Sequence, residues 1–191
     1  MSPSRIFVSD KDERDDLLKS ANKKYALKDF RGAMADFTKV IDLEPNFDGG
    51  YAGRGLAEYD IEDYPQAIAD FTKAINLKPN WALYASRGNA ETQLEDYHGA
   101  IADLTKAIEL KPDESGPYYQ RGNAKLGLER YESAIADFSK AISLEPSFGK
   151  AYHGRGFAYL GVKEKRKALA DFRRAQALGS HVPQKTLDLC K

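Results

Sequence analysis

The feature that most constrains this chain is a segment that recurs along it. Ala69-Asp70-Phe71-Thr72-Lys73-Ala74-Ile75 returns as Ala35-Asp36-Phe37-Thr38-Lys39-Val40-Ile41 and as Ala102-Asp103-Leu104-Thr105-Lys106-Ala107-Ile108. It comes again as Ala136-Asp137-Phe138-Ser139-Lys140-Ala141-Ile142, and in weaker form as Ala170-Asp171-Phe172-Arg173-Arg174-Ala175-Gln176. The Asp residues stand 34, 33, 34 and 34 positions apart. Two further columns keep the same period: Pro45, Pro79, Pro112 and Pro146, and the pairs Arg54-Gly55, Arg87-Gly88, Arg121-Gly122 and Arg155-Gly156. A period of this length marks a stack of supersecondary units, each too small to bury its own apolar face. Five repeats are expected, over 14–47, 48–80, 81–114, 115–148 and 149–180. An N-terminal extension (1–13) precedes them and a short capping helix (181–191) follows.

Each repeat reads as two helices. Tyr118, Arg121, Gly122, Lys125 and Leu126 follow helical spacing in the fourth, and Gly127, Leu128 and Glu129 lead into a turn. Tyr131, Ala134, Ile135, Phe138, Ala141, Ile142 and Leu144 then keep a 3.6-residue period until Pro146 stops the helix. Asp29, Asp63 and Asp96 stand where the second helix needs an N-cap, and Pro65 falls in a first turn. Ser9 with Asp12 has the form of a capping box for the first helix. No sustained period-two stretch is present, so strands are not expected. A Gly inside a helix costs about 1 kcal/mol relative to Ala. Its recurrence at Gly55, Gly88, Gly122 and Gly156, opposite Ala33, Ala67, Ala100, Ala134 and Ala168, implies helices in close contact. The Arg column is missing from the first repeat, where Ser20 stands. Since that repeat has no predecessor, pairing between repeats is expected: Arg54 with Asp36, Arg87 with Asp70, Arg121 with Asp103 and Arg155 with Asp137, leaving Asp171 without an Arg. Pro79 to Gly88 is nine residues where the other repeats have ten. The downstream columns stay in phase, so the deletion lies in the turn beside Trp81.

In Tyr118, Gly122, Tyr131, Ala134, Phe138, Ala141 and Pro146 the chain resembles the tetratricopeptide repeat, whose pattern is aromatic, small, aromatic, Ala, Phe, Ala and Pro at fixed offsets. Departures are few: Ala21 for Gly, Leu104 for Phe, Lys165 for the turn aromatic and Ser180 for the final Pro. The resemblance covers residues 14 to 180. It implies an all-α fold, a solenoid of antiparallel helix pairs wound as a right-handed superhelix, with a concave groove lined by the first helix of each pair.

Composition removes several other classes. Lys plus Arg and Asp plus Glu are 29 each, so no basic surplus marks a nucleic-acid protein. A single Cys excludes an internal disulfide framework and suggests a reducing, cytoplasmic setting. No apolar run reaches the length of a membrane span, and no signal peptide is read at the start. His98, His153 and His181 fall in different columns, so no metal site is expected. Cys190 reads as a small packing residue. Gly53-Arg54-Gly55 and Gly149-Lys150-Ala151 lack the flanking residues of a phosphate loop, and Glu62 and Asp63 belong to a polar turn. No catalytic residue and no cofactor are expected.

The resemblance implies a peptide-binding groove built from Asn22, Tyr25, Leu56, Tyr59, Asn89, Tyr119, Asn123, Leu126, Lys150, His153 and Phe157. Asn22, Asn89 and Asn123 share a column, and an amide both donates and accepts, which suits a peptide backbone. Tyr119 and Phe157 offer apolar pockets between the fourth and fifth repeats. One subclass of the family holds acidic chaperone tails with a carboxylate clamp. Here Leu18, Gly53, Ala82 and Ser86 replace four clamp positions, so no such clamp is expected. Charge along the repeats runs +1, −3, −4, 0 and +6. The expected function is therefore a non-catalytic protein-interaction module, an adaptor, scaffold or assembly factor. A self-assembling solenoid, joined weakly head to tail by opposite charges, is the second reading.

Overall fold

The computed structural model describes residues 10–190; Ser9 of the expected capping box lies outside them. Eleven helices follow one another among the described residues: α1 (Asp10–Ala26), α2 (Phe30–Leu43), α3 (Asp48–Asp60), α4 (Tyr64–Leu77), α5 (Trp81–Gln93), α6 (Tyr97–Leu110), α7 (Ser115–Gly127), α8 (Tyr131–Leu144), α9 (Gly149–Gly161), α10 (Lys165–Ala177) and α11 (Gln184–Asp188). They fall into two compact lobes, Met1–Ala90 and Glu91–Lys191, with the division inside α5.

Within each lobe the helices close on the columns of small residues. In the N-terminal lobe Ala21, Ala33 and Phe37 form one buried cluster, and Ala67, Phe71, Ala74, Ile75, Leu83 and Ala90 another. In the C-terminal lobe Ala134, Phe138 and Ala158 pack together, and Ala168, Phe172, Ala175 and Val182 pack under Leu187 and Cys190. The glycines face the Phe rings. A Cβ on Gly122 would come within 2.8 Å of Phe138, and one on Gly156 within 2.6 Å of Phe172. Phe138 is pressed from its other side by Gly154, two residues before Gly156, where a Cβ would lie 2.7 Å from the ring. The Gly-Arg-Gly triplet is thus a mid-helix packing device, with one glycine for the Phe of its own repeat and one for the Phe of the preceding repeat.

The arginine register differs from the sequence expectation. Arg54, Arg121 and Arg155 pair with the Asp of their own repeat: Arg54 Nε and Nη2 donate to Asp70 at 2.7 and 2.9 Å, Arg121 to Asp137 at 2.8 and 2.7 Å, and Arg155 to Asp171 at 2.7 and 2.9 Å. Asp171, expected to lack an Arg, has one. The link to the preceding repeat exists, but through a hydroxyl. Nη1 of Arg54, Arg87, Arg121 and Arg155 donates to Thr38, Thr72, Thr105 and Ser139 at 3.0–3.1 Å. The guanidinium fork saturates one carboxylate bidentately and leaves its far nitrogen for a single acceptor, which a hydroxyl supplies. In the first repeat Ser20 Oγ and Lys24 Nζ hold Asp36 at 2.6 and 2.5 Å instead.

The caps follow a finer rule than Asp alone. Asp29 and Asp96 accept from Gly32 N and Gly99 N at 3.0 Å, but Asp63 makes no side-chain cap bond. At the third helical position Gly lets the cap close tightly: a Cβ on Gly99 would come within 2.6 Å of the Asp96 carboxylate, which would have to shift. In the second repeat that residue is Gln66. The shortened turn is as the spacing implied. α3, α7 and α9 begin three residues after their prolines and α5 two after Pro79, all four with 13 residues. Asn80 Oδ1 caps the tightened start, accepting from Leu83 N at 3.1 Å.

Candidate functional site

In the N-terminal lobe the expected groove residues are largely engaged in packing. Tyr25 stacks edge-on against Phe30 with centroids 5.5 Å apart, and its hydroxyl donates to Asp60. Burial, then that carboxylate, push the Tyr25 phenol up to about 12, so it keeps its proton. Tyr59 stacks on Tyr64 at 5.3 Å. Leu56 and Asn22 are exposed, and Asn89 on α5 is half-buried.

In the C-terminal lobe the expected residues line two clefts. Tyr119, Asn123 and Leu126 recur on α7 at intervals of four and three, so they share one helix face; Lys150, His153 and Phe157 do the same on α9. A cleft of about 680 Å³ opens at the start of α9. Its walls include Tyr119, Lys150 and His153 together with Glu145, Phe148, Ser180 and His181. A second, of about 350 Å³, lies by the helix ends between Leu126, Tyr131, Phe157 and Gly161, with Glu129 at its edge. Tyr119 and Phe157, expected to share the apolar pockets of this junction, line different clefts. Asn123 follows Tyr119 by one turn, between that residue and Leu126 on the shared face.

The aromatic floor is fixed by ring contacts. Tyr119 lies against Phe148 at 4.9 Å and Phe138 at 6.0 Å. His153, Phe157 and Phe172 form a mutual edge-to-face triad at 5.0, 5.2 and 5.7 Å. Such pairs add about 0.5–1.5 kcal/mol beyond area burial and hold their rings in one orientation. Burial, then the neighbouring His181, push the His153 imidazole below its usual range, so the ring is neutral at pH 7. Its Nε2 is buried and has no hydrogen-bond partner.

The loop residues of the larger cleft, Glu145, Phe148, Ser180 and His181, were not among the expected groove positions. Ser180 was visible as the substitute for the final Pro of the pattern. Its hydroxyl occupies the space a Cβ on Gly149 would need, which draws the 178–181 loop against the start of α9. Among the described residues no three His, Cys, Asp or Glu side chains converge to hold a metal ion. Cys190 packs on the α10 cluster, where burial raises its thiol pKa. Among the described residues no helix is long and apolar enough to cross a membrane.

Comparison with known proteins agrees with this architecture. The family described as "Tetratricopeptide repeat" matches residues 117–148, and that described as "TPR repeat" matches residues 88–128. No curated protein matches the sequence. Among solved structures, a MamA protein is similar at TM-score 0.79 and 26% identity, covering 91% of this chain and 100% of the other. MamA 41-end from Desulfovibrio magneticus RS-1 gives TM-score 0.81 at 22% identity, covering 88% of this chain and 95% of the other. YrrB, described as a TPR protein with an unusual peptide-binding site, gives 0.72 at 22% identity, covering 91% and 88%. With its repeated columns and its small-residue helix contacts, the chain has the all-α solenoid fold of the tetratricopeptide repeat, and its residues 88–148 match that repeat's family models.

Proposed function

We propose that this chain is a non-catalytic protein-interaction module, an adaptor, scaffold or assembly factor, that holds a peptide or partner domain against the face formed by α7 and α9. The observation that carries the reading is the pair of clefts on that face, walled by Tyr119, Lys150 and His153 in one and by Leu126 and Phe157 in the other. Preformed concave sites with an aromatic floor and a few polar groups are where ligands seat. The reading requires no nucleophile–base pair, metal or cofactor. A peptide-binding relative of the same fold, YrrB, supports it by analogy. The single Cys fits a cytoplasmic setting.

Affinity capture with the full chain, followed by mass spectrometry, tests this reading when run beside the Asn123→Ala/Phe157→Ala double variant. Asn123 is half-buried and Phe157 exposed, and circular dichroism of the variant checks that the helices are kept. A specific partner recovered by the wild type and lost by the variant supports the reading. A partner recovered equally by both places binding elsewhere.

The second reading, weak head-to-tail self-association, draws on the charge of +6 in residues 149–180 against −4 in residues 81–114. Lys163, Lys165, Arg166, Lys167, Arg173 and Arg174 are all exposed. Light scattering at low and high salt separates the readings, because such association dissolves as screening increases.

A further inference from the structure

We propose that the turns inside the third, fourth and fifth repeats form an edge on which a second copy of this chain docks, related by a two-fold axis through the fourth turn. The inference goes beyond the partner-binding reading and uses neither of its clefts. It also differs from head-to-tail association, because a two-fold contact closes at two copies.

The three turns join α5 to α6, α7 to α8 and α9 to α10, all within the C-terminal lobe. They are neighbours in order. A Cβ on Gly127, which ends α7, would meet the ring of Tyr97, which opens α6; one on Gly161, which ends α9, would meet the ring of Tyr131, which opens α8. Each turn therefore rests on the one before, and the three share an edge. Each also carries an aliphatic residue at the same place: Leu94, Leu128 and Val162, a column that Leu27 and Ile61 keep in the N-terminal lobe. Leu94 is 47% exposed, and Leu128 and Val162 are half-buried. A solvated turn gains nothing from an aliphatic side chain, whereas a covered one does.

Charge reverses along this row, and the reversal identifies what covers it. The third turn, 94–98, holds Glu95 and Asp96 and no Lys or Arg. In the fourth, Glu129 and Arg130 offset each other. The fifth, 162–166, holds Lys163, Lys165 and Arg166 against Glu164, which already faces Lys167 Nζ at 3.3 Å. Glu95, Lys163, Lys165 and Arg166 are exposed and make no ion pair among the described residues. A two-fold axis through the fourth turn reverses the order of the repeats in the second copy. The acidic third turn then faces the partner's basic fifth turn, and the same contact is made again at the other end. Leu94 lies against the partner's Val162, and Leu128 against the partner's Leu128. A parallel alignment would set acid on acid at one end and cation on cation at the other, so the charge order selects the antiparallel pair. Three turns make a small interface beside the about 800 Å² per partner of a stable one, so the dimer is weak and salt dissolves it.

Sedimentation velocity of the full chain over a range of concentrations at low salt tests the inference. The expected result is a monomer–dimer equilibrium that stops at two copies and shifts to monomer as salt is added. Glu95→Lys and Lys163→Glu each put like charges at both contacts and weaken the dimer about tenfold or more. Both substitutions keep the turn, since Lys28 and Lys163 hold the column at φ 61° and 63°, and Glu62, Glu95 and Glu129 hold it at 66°, 61° and 55°. Mixing the two single variants restores a dimer with one copy of each, and combining both substitutions in one chain restores the homodimer. Leu94→Ser weakens the dimer while leaving its salt dependence unchanged. A chain that stays monomeric at every concentration, or a dimer indifferent to both charge reversals, overturns the inference. Species that keep growing past two copies overturn the closed pair in favour of head-to-tail association.

Discussion

Four positions after the Arg column, the charge of the side chain changes between repeats, and this sets the balance around the buried Asp. Lys125 gives Asp137 a second cation beside Arg121, with Nζ at 2.7 Å, and Lys24 puts Nζ 2.5 Å from Asp36, which has Ser20 in place of an Arg. The second repeat has Glu58 there. Its Oε1 lies 3.8 Å from Arg54 Nε, and its Oε2 is buried without a hydrogen-bond partner. Arg54 is already committed to Asp70. Burial, then the Asp70 carboxylate, therefore push Glu58 up to about 7, from an ordinary value of 4.5. The folded state then holds a proton between those values that the unfolded chain releases. The stability Glu58 contributes is fully present below pH 4.5 and is lost as pH rises through 7. Glu58→Gln should flatten that slope and stabilise the chain by about 2–3 kcal/mol at pH 8. Urea unfolding midpoints of both proteins from pH 4 to 8 check this; parallel profiles would assign the slope to another group.

The turns between paired helices repeat a strained conformation. Lys28, Glu62, Glu95, Glu129 and Lys163 all have φ between 55° and 66°. The sequence placed glycines nearby, at Gly127 and Gly161, but these are not the left-handed residues. Gly127 ends α7 because the Tyr97 ring fills the space of a Cβ, 2.5 Å away, and Gly161 ends α9 against Tyr131 in the same way. The left-handed region costs a non-glycine residue about 1–2 kcal/mol, partly offset by the greater unfolded-state entropy of Gly. Glu129→Gly should thus stabilise the chain by about 0.5–1 kcal/mol, read as a raised thermal midpoint; a lowered midpoint would show that the side chain has a role of its own. The caps give a paired expectation. Asp96→Ala removes a real cap and should cost about 1 kcal/mol, while Asp63→Ala removes none and should cost much less. Equal losses would show that Asp63 supports its helix by some means other than a side-chain cap bond. These details were hard to read from sequence because an Asp or a Gly in a column does not say which neighbour it meets. The helices themselves were legible, since the 3.6-residue periods and prolines act locally.

Long-range pairing was the part of the fold that the repeat made ambiguous. With Arg and Asp in every repeat after the first, pairing with the same repeat or the previous one preserves nearly every column. Ser20 in the first repeat suited both choices. The decisive group was the Thr/Ser column two residues after Asp, which takes the third guanidinium nitrogen. The candidate site was legible where helices supply it, at Tyr119, Leu126, Lys150, His153 and Phe157. It was not legible in the 178–181 loop, which departs from the repeat and so carries no column to read. Binding on the α7–α9 face is best examined by placing a photo-crosslinking amino acid at Phe157, and separately at Ala170 on the exposed side of α10. Crosslinks to a partner from position 157 and none from position 170 are the predicted result; crosslinks from position 170 alone would contradict binding on that face.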